Sequence, residues 1–290
     1  MDCKDRSGAI VAIDNGQDKL LKKLYGSASG RAVLKILTLP IVSKIGGKIL
    51  DSKLSCVMIK GFIKNNNINM TEYMTEYMTE HYSSYNDFFT RNIKPESRPI
   101  DNDYRKLISP CDGRVSVYNI DDNSDFLIKN THYNVETLTQ SKKAADIYKG
   151  GTMVIIRLCV DNYHRYCYID NGRKSRNKFI KGVLHTVNPI ANDYFKIYKE
   201  NSRECSVLYT ENFGRVMQIE VGALFVGKIV NHDQACLITR GKEKGYFEFG
   251  GSTICLMFEK DSVIIDEDLI TNTIDGFETA IKMGQTIGHI

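Results

Sequence analysis

The pattern of apolar and polar residues changes near residue 100. Beyond that point, apolar residues occur in short runs such as "TMVIIRL" (152–158), "YFEFG" (246–250) and "STICLMF" (252–258), separated by Gly, Asn and Asp. Short apolar runs bounded by turn residues are typical of strands. The pattern therefore predicts an α+β protein. Its core is expected to be β-rich, barrel- or sandwich-like and mostly antiparallel.

Two local signals refine this prediction. The segment 134–148 has a helical pattern, and Asn134 is a suitable residue to cap its first turn. The triplet Asp170-Asn171-Gly172 separates two strand-like runs, and an Asn-Gly pair in that position predicts a tight β-hairpin.

The N-terminal part has a different character. Between Gln17 and Lys64 there are ten Lys or Arg residues and only two acids, threaded by apolar residues, as in "AVLKILTLPIVSKIGGKILDSKLSCVMIKGFI". No apolar run approaches the roughly 18–20 residues that a membrane span requires. Basic amphipathic helices lying in a membrane interface fit this pattern. A helical subdomain with a solvated cationic face is the alternative.

A boundary follows these predicted helices. The segment 70–89 contains a tandem "TEYM" repeat, which predicts a helix with Tyr and Met packed on one face. The segment 91–101, "RNIKPESRPID", has two of the five prolines and is typical of an extended connector. We therefore expect a helical, membrane-associating region over 1–90 and a β-rich domain over 91–290.

Composition excludes few functions. The net charge is +4, and the eight cysteines are scattered without a CxxC pair. No His/Cys cluster has zinc-ligand spacing, so no metal is expected. The polar start "MDCKDRSGAIVAIDNG" has no hydrophobic h-region, which predicts no signal peptide and free thiols in a reducing cytosol. No nucleic-acid partner is expected.

Three polar residues interrupt the strand-like runs. Asp112 precedes a glycine, which by itself favours an ordinary turn. His164 lies among tyrosines, where a packed, hydrogen-bonded histidine is more common than a catalyst. Ser252 follows Gly250-Gly251 and has no GxSxG elbow around it, so a hydrolase nucleophile is not indicated.

Seven segments together resemble one family. "FFTRNIKPESRPID", "SPCDGRV", "YHRYCYIDNG", "TVNP", "ENFGRVMQIEVGALFVGKI", "KGYFEFGGSTICLMFEK" and "KMGQTIG" resemble phosphatidylserine decarboxylases, in the same order. The resemblance covers about 85–290, with a looser match of the basic N-terminus. Each segment is weak alone, whereas seven in register make a coincidence improbable.

The resemblance implies self-cleavage at an LGST-type motif, here Gly250-Gly251-Ser252-Thr253. Cleavage after Gly251 leaves a β chain, 1–251, and an α chain, 252–290, whose first residue, the former Ser252, becomes a covalent pyruvoyl group. The family's maturation triad falls on Asp112, His164 and Ser252. His164 is the implied base, with Asp112 orienting it.

The implied reaction follows from that cofactor. The pyruvoyl carbonyl forms a Schiff base with the amine of phosphatidylserine and accepts electrons as CO₂ leaves. His164 is the implied proton donor, and phosphatidylethanolamine is the product. A lipid substrate favours a peripheral location on the cytoplasmic face of the membrane. A homodimer is possible.

Two positions depart from the family pattern, and the first is Gly250, where the motif often has Leu. A second histidine usually follows three residues after the first, and here that place is Cys167. A thiol cannot replace a cationic imidazole, so either the second histidine is secondary or the activity here is lowered or shifted. We favour the first, because Asp112, His164 and Ser252 are all present. The alternatives are a related pyruvoyl decarboxylase acting on another serine lipid or amino acid, an uncleaved lipid-binding or carrier protein with a lysine such as Lys282 in a tight turn, and a pseudoenzyme.

Overall fold

The structure is a computed structural model, and it describes residues 2–11, 25–27, 30, 34, 40–74, 82–128, 131–183, 197–222, 228–250 and 252–290. The "TVNP" loop, most of the "TEYM" repeat and Gly251 lie outside the described residues.

Helices are short and occur in three regions of the described chain. The first two, α1 and α2, belong to the basic N-terminal part, where helices were predicted. In chain order the helices are α1 (Pro40–Leu50), α2 (Val57–Asn65), α3 (Tyr85–Phe89), α4 (Val135–Thr139), α5 (Lys142–Tyr148), α6 (Ile197–Glu200) and α7 (Glu267–Ile274). Single 3-10 turns cover Lys53–Cys56, Met70–Glu72 and Pro95–Ser97.

Strands dominate the described residues beyond 100. In chain order they are β1 (Cys3–Lys4), β2 (Ile10–Val11), β3 (Lys106–Ile108), β4 (Gly113–Asn119), β5 (Asp125–Ile128), β6 (Thr131–Asn134), β7 (Thr152–Leu158), β8 (Arg165–Cys167), β9 (Gly172–Lys174), β10 (Lys178–Ile180), β11 (Arg203–Thr210), β12 (Arg215–Gly222), β13 (Ile229–Asn231), β14 (Cys236–Ile238), β15 (Glu243–Phe247), β16 (Ser252–Phe258), β17 (Ile264–Ile265), β18 (Glu278–Ile281) and β19 (Thr286–His289).

One large sheet organises the molecule. Its order is β14-β9-β11-β12-β16-β7-β4-β18-β1-β2, with β10 added beside β11. Only the β1–β18 pair is parallel among the described strand pairs of this sheet. Two three-stranded sheets, β13-β15-β8 and β17-β19-β3, and the hairpin β5-β6 complete the strands. The predicted α+β class with mostly antiparallel pairing is confirmed, and the large sheet does not close into a barrel.

The two faces of the large sheet bury separate cores, because side chains alternate along each strand. On one face, Val154, Ile156 and Leu256 pack against Tyr166 and Phe247 of the β13-β15-β8 sheet. On the other face, a second core joins the sheet to α4, α5 and the β5-β6 hairpin, and contains Ile155, Met257, Leu138, Tyr148 and Phe126. The described domain therefore has layers on both sides of one sheet.

Two local predictions differ in outcome. Asn134 caps α4, as predicted, and its side chain accepts a hydrogen bond from the amide of Thr137. The helix ends at Gln140, whose φ of 50° is left-handed, and a second helix follows. The predicted hairpin at Asp170-Asn171-Gly172 is wrong, because β8 pairs with β15 whereas β9 pairs with β11 and β14. The turn carries the chain from one sheet to another.

Candidate active site

Ser252 lies where the chain passes between two sheets. β15 belongs to the small sheet and β16, which begins at Ser252, lies between β12 and β7 in the large one. Gly250 adopts a φ of 135°, a conformation that residues with a Cβ rarely tolerate. The Ser252 hydroxyl is buried and has no hydrogen-bond partner among the described residues. A buried hydroxyl without a partner is costly, and together with the left-handed Gly250 just before it this makes Ser252 a candidate functional residue.

The ring of His164 has a defined tautomer. Its Nδ1 lies 2.9 Å from the carbonyl oxygen of Asn162. Because a carbonyl oxygen can only accept, Nδ1 carries the proton and Nε2 keeps a lone pair. Nε2 is buried and has no partner within the described part of the chain. His164 is therefore arranged as a proton acceptor.

The surroundings of His164 keep it uncharged. Its ring lies 4.2 Å from the ring of Phe89, measured between centroids. Burial lowers the pKa of His164 to about 3; the backbone of Asn162 and, more weakly, of Gly250 opposes this shift, and the charge of Arg91 adds to it. The amide of Phe247 donates to the His164 carbonyl at 3.0 Å, and Phe249 packs on Phe89, so the histidine lies beside the segment that leads to Ser252.

Asp112 is held by an arginine. Nε and Nη2 of Arg98 donate to its two carboxylate oxygens at 2.8 Å and 2.6 Å. The amide of Met283 donates to the same carboxylate at 2.8 Å. Among the described contacts, Asp112 makes no hydrogen bond to His164, whose Nδ1 is oriented by the Asn162 carbonyl instead. The catalytic roles of Asp112, His164 and Ser252 stay predictions.

An aromatic cluster, defined here as Tyr85, Phe88, Phe89 and Phe249, covers the histidine. Phe249 contacts Phe89 at 5.1 Å and Tyr85 at 5.0 Å between ring centroids. The same core includes Ile59 of α2 and the partly buried Leu50 of α1. The basic N-terminal helices therefore pack onto the cluster that encloses the candidate base.

Cys167 lies apart from the histidine. It is buried, and its amide donates to the carbonyl of Pro110 at 2.8 Å. Burial raises the pKa of its thiol to about 12, so the thiol is neutral. Cys167 and Arg98 both line a cavity of about 210 Å³. Cys167, which stands where the family usually has a second histidine, thus lies on the side of the site that contains the Arg98–Asp112 pair.

Ser252 is the described residue of this site that could carry a covalent cofactor. No group of three or more His, Cys, Asp or Glu side chains that could hold a metal ion occurs within the described ranges. A covalent pyruvoyl group fits Ser252, because its hydroxyl is buried and unpaired among these residues.

Three contributors to the site had no assigned role in the sequence. Arg98 and Phe89 both lie in "FFTRNIKPESRPID", and Asn162 contributes only its carbonyl. Arg98 and Phe89 were part of a matching segment, which was the available signal. A backbone carbonyl carries no side-chain signal, so the role of Asn162 was invisible in the sequence.

Comparisons with known proteins show which family the chain resembles. Residues 85–289 match the family model described as phosphatidylserine decarboxylase. A Clostridium acetobutylicum protein named phosphatidylserine decarboxylase proenzyme 2 is 46% identical over 276 residues, covering 95% of this chain and 92% of the relative. A Clostridium perfringens phosphatidylserine decarboxylase proenzyme is 41% identical over 275 residues, covering 93% of each chain. These likenesses favour a decarboxylase over a carrier scaffold.

Proposed function

Because the chain belongs to the phosphatidylserine decarboxylase family, we propose that it cleaves itself between Gly251 and Ser252 and then converts phosphatidylserine to phosphatidylethanolamine and CO₂. One observation carries this proposal. The Ser252 hydroxyl and His164 Nε2 are both buried without a partner among the described residues, and Phe249, three residues before Ser252, packs on the Phe89 ring that contacts His164. A nucleophile and a neutral base with no other partner are the components that self-cleavage requires.

The cleavage chemistry uses these two groups. His164 Nε2 takes the hydroxyl proton as the Ser252 oxygen attacks the carbonyl carbon of Gly251, and the peptide C–N bond breaks to give an ester and a free amine. Loss of the Cα proton of residue 252 then expels the Gly251 carboxylate. Water replaces the amine, which leaves as ammonia, and the former serine becomes the pyruvoyl group.

Asp112 is assigned as a positioning residue in this step. Arg98 holds it from the future β chain, and the Met283 amide holds it from the future α chain. The proposed role is to hold the two prospective chains together at the cleft that Asn162, whose carbonyl orients His164, also lines.

The α chain has contacts that would retain it after cleavage. β16 is fully buried, and its register with β12 and β7 extends along its length. Arg6 also forms ion pairs with Asp266 and Asp268. Both sets of contacts would keep 252–290 attached to 1–251 after the peptide bond between Gly251 and Ser252 is broken.

The second reaction depends on residue 252 in its modified form. The pyruvoyl group, when present, supplies an electrophilic carbonyl that receives the substrate amine and draws electrons as CO₂ leaves. His164 then delivers a proton to the former α-carbon. Its ring is neutral when buried alone, and a negative charge arriving with the substrate raises its pKa and favours the charged, donating form.

A lipid substrate requires contact with a membrane. No described helix is long and apolar enough to cross a bilayer. The N-terminal apolar surface, defined here as Ile45, Ile49, Leu54, Val57 and Met58, is between 49% and 83% exposed. Exposed Lys48, Lys53, Lys60 and Lys64 flank it. We assign this surface to peripheral binding at the anionic cytoplasmic leaflet, where each cation contributes about 1 kcal/mol.

Intact-mass analysis and a denaturing gel test the proposal. The wild-type protein should separate into 1–251 and 252–290, and should release CO₂ from phosphatidylserine vesicles. Ser252→Ala should remain a single 32.9 kDa chain. Ser206→Ala is the matched control, because its hydroxyl is also buried without a partner among the described residues; it should mature normally. An intact wild-type chain, or one that releases no CO₂, would refute the proposal.

A further inference from the structure

A polar cleft of about 580 Å³ lies beside the candidate site. Three parts of the chain meet there: the N-terminal residues 5–7, the segment 66–69 that follows α2, and residues 280–282 near the C-terminus. Asp112 and Asn162 line it as well. Because the Asn162 carbonyl orients His164, the cleft reaches to the backbone that holds the candidate base.

Among the described residues that line this cleft, Arg114 is the cation without a hydrogen-bond or ion-pair partner. It is half-buried and lines the cleft, and no hydrogen bond or ion pair joins it to another described residue. The other cations of the lining are engaged: Arg98 with Asp112 and Glu72, Arg6 with Asp266 and Asp268, and Lys282 with Glu72. A half-buried guanidinium without a carboxylate is suited to an anion from outside the chain.

The sheet register places Arg114 close to the reacting residue. Arg114 of β4 lies opposite Arg157 of β7, which lies opposite Thr253 of β16. Adjacent strands are about 4.8 Å apart, so the backbone of Arg114 lies roughly 10 Å from that of Thr253. Thr253 directly follows Ser252. The side chains of Arg114, Arg157 and Thr253 therefore point to one face of the sheet and that of Ser252 to the other. Arg114 lies near the end of the sheet where β16 begins, on the face away from the Ser252 hydroxyl.

The guanidinium of Arg157 in the same row is already occupied. It pairs with Glu278 through two contacts, and both side chains are buried. The N–H donors of Arg157 are therefore used within the protein, whereas those of Arg114 are available to a ligand.

We propose that Arg114 binds the phosphodiester of the substrate lipid, an inference that rests on the proposed function. The substrate has two anionic groups. Its carboxylate is attached to the carbon that bears the amine, and a cation bound there would stabilise the ground state and oppose loss of CO₂. The phosphodiester is separated from that carbon by a methylene and an oxygen, so it suits a cation set back from residue 252. A guanidinium also matches phosphate oxygens with two parallel N–H donors.

The rim of the cleft supports a lipid rather than a free solute. Residues 66–69 directly follow α2, and α2 begins with the exposed Val57 and Met58 of the N-terminal apolar surface. A headgroup entering the cleft over this rim can leave its acyl chains in the membrane that the apolar surface contacts.

Kinetics of Arg114→Gln test the proposal. The variant should cleave itself completely, because Arg114 contacts none of the maturation residues. Its KM for phosphatidylserine in mixed micelles should rise roughly 10- to 100-fold, with kcat changed less than about threefold. Arg114→Lys should recover part of the loss. Arg176→Gln, an exposed arginine away from the cleft, is the matched control and should behave as wild type.

A phosphate-free substrate separates the phosphodiester from the rest of the headgroup. O-dodecyl-L-serine keeps the amine and the carboxylate, so Arg114→Gln should change its KM by less than about twofold. An equal loss with both substrates would overturn the proposal, as would an unchanged KM for phosphatidylserine. Binding of inorganic phosphate that depends on Arg114, without any effect on the lipid KM, would instead identify a free-anion site and overturn it too.

A binding measurement keeps this test independent of activity. In the uncleaved Ser252→Ala chain, calorimetry should detect sn-glycero-3-phospho-L-serine, with affinity reduced roughly 10-fold or more by Arg114→Gln. If the wild type showed no catalysis but Arg114→Gln still reduced this affinity, the proposed function would be refuted and the role of Arg114 would stand. Absence of the difference would refute the role of Arg114 alone.

Discussion

The guanidinium of Arg98 donates to both carboxylate oxygens of Asp112, and the pair is almost fully buried. Asp112 also accepts the amide of Met283, which lies in the part of the chain that follows Ser252. The carboxylate therefore connects the two chains that cleavage would produce, 1–251 through Arg98 and 252–290 through Met283. Among the described contacts no hydrogen bond joins Asp112 to His164; Asn162, whose carbonyl orients His164, lines the same cleft as Asp112.

Asp112→Asn is the first variant to test. It keeps the size of the side chain and removes its charge, so self-cleavage should slow by roughly tenfold or more as this connection loosens. Time courses of intact mass measure this rate. Asp103→Asn is the control, because Asp103 forms a comparable but more exposed pair with Arg105. Maturation of Asp112→Asn at the wild-type rate would reduce Asp112 to a structural partner of Arg98.

The low pKa of His164 predicts an unusual pH profile. Since burial holds this pKa at about 3, the ring stays neutral throughout pH 5–8, and the rate of self-cleavage should show no inflection near 6.5. Histidine in the unfolded chain binds a proton near pH 6.5. The contribution of His164 to stability is therefore complete above pH 6.5 and is lost progressively as the pH falls towards 3, by at most about 1.4 kcal/mol per unit.

Urea unfolding at several pH values checks the sign of this linkage. Between pH 6.5 and 5 the wild type should lose more unfolding free energy than His164→Gln, which has no titrating ring. A ring that titrates above pH 6 in the native protein, followed by NMR, would contradict the neutral, buried base.

Phe89→Ala tests whether Phe89 keeps water away from the His164 ring. Phe89 is fully buried and contacts both the histidine and Phe249. Its removal should cost about 3–5 kcal/mol of unfolding free energy and admit water, so that the pKa of His164 rises towards 6.5. Phe179→Ala, at an exposed position, should change neither quantity. If Phe89→Ala lost stability but the pKa of His164 stayed unchanged, residues other than Phe89 would be responsible for the burial of the ring.

Local signals and a family resemblance carried much of the fold and the site. Strands on both sides of Gly250–Ser252 and the Asn134 cap were readable, because strand patterning and capping depend on neighbouring residues. The hairpin predicted at Asp170-Asn171-Gly172 was wrong, because residues distant in sequence decide which strands pair. Here the amides of Asn212 and Arg240 bind the side chains of Asp170 and Asn171 and hold the turn. The Arg98–Asp112 pair was also hidden, because arginine and aspartate have many alternative partners.

A buried ion pair provides a test of stability away from residue 252. Lys244 Nζ lies 2.7 Å from Glu220 Oε1, and both side chains are fully buried between the large sheet and the β13-β15-β8 sheet. Lys244→Ala leaves the carboxylate of Glu220 buried without its cation and should cost about 3–5 kcal/mol. The double variant Lys244→Met, Glu220→Leu should recover most of this loss in denaturant unfolding. No recovery would mean that Asn231 and Gln218, which also contact Glu220, require its charge.

Membrane binding depends on the N-terminal apolar surface. Leu54 and Val57 are each 83% exposed, and an apolar side chain that enters the interface gains free energy in proportion to the area removed from water. The double variant Leu54→Asp, Val57→Asp should weaken binding to phosphatidylserine-containing vesicles by at least about tenfold in sedimentation assays. Wild-type binding should also weaken with added salt, because lysines flank this surface.

Leu237→Asp is the control for this loss. Leu237 is also 83% exposed, but it lies on β14 at the opposite edge of the large sheet from β2. If general exposure of apolar residues drove vesicle binding, Leu237→Asp would weaken it as much as the change at either N-terminal position. Normal binding by Leu237→Asp, together with normal self-cleavage of the double variant, would assign the membrane contact to the helices that pack on the aromatic cluster over His164.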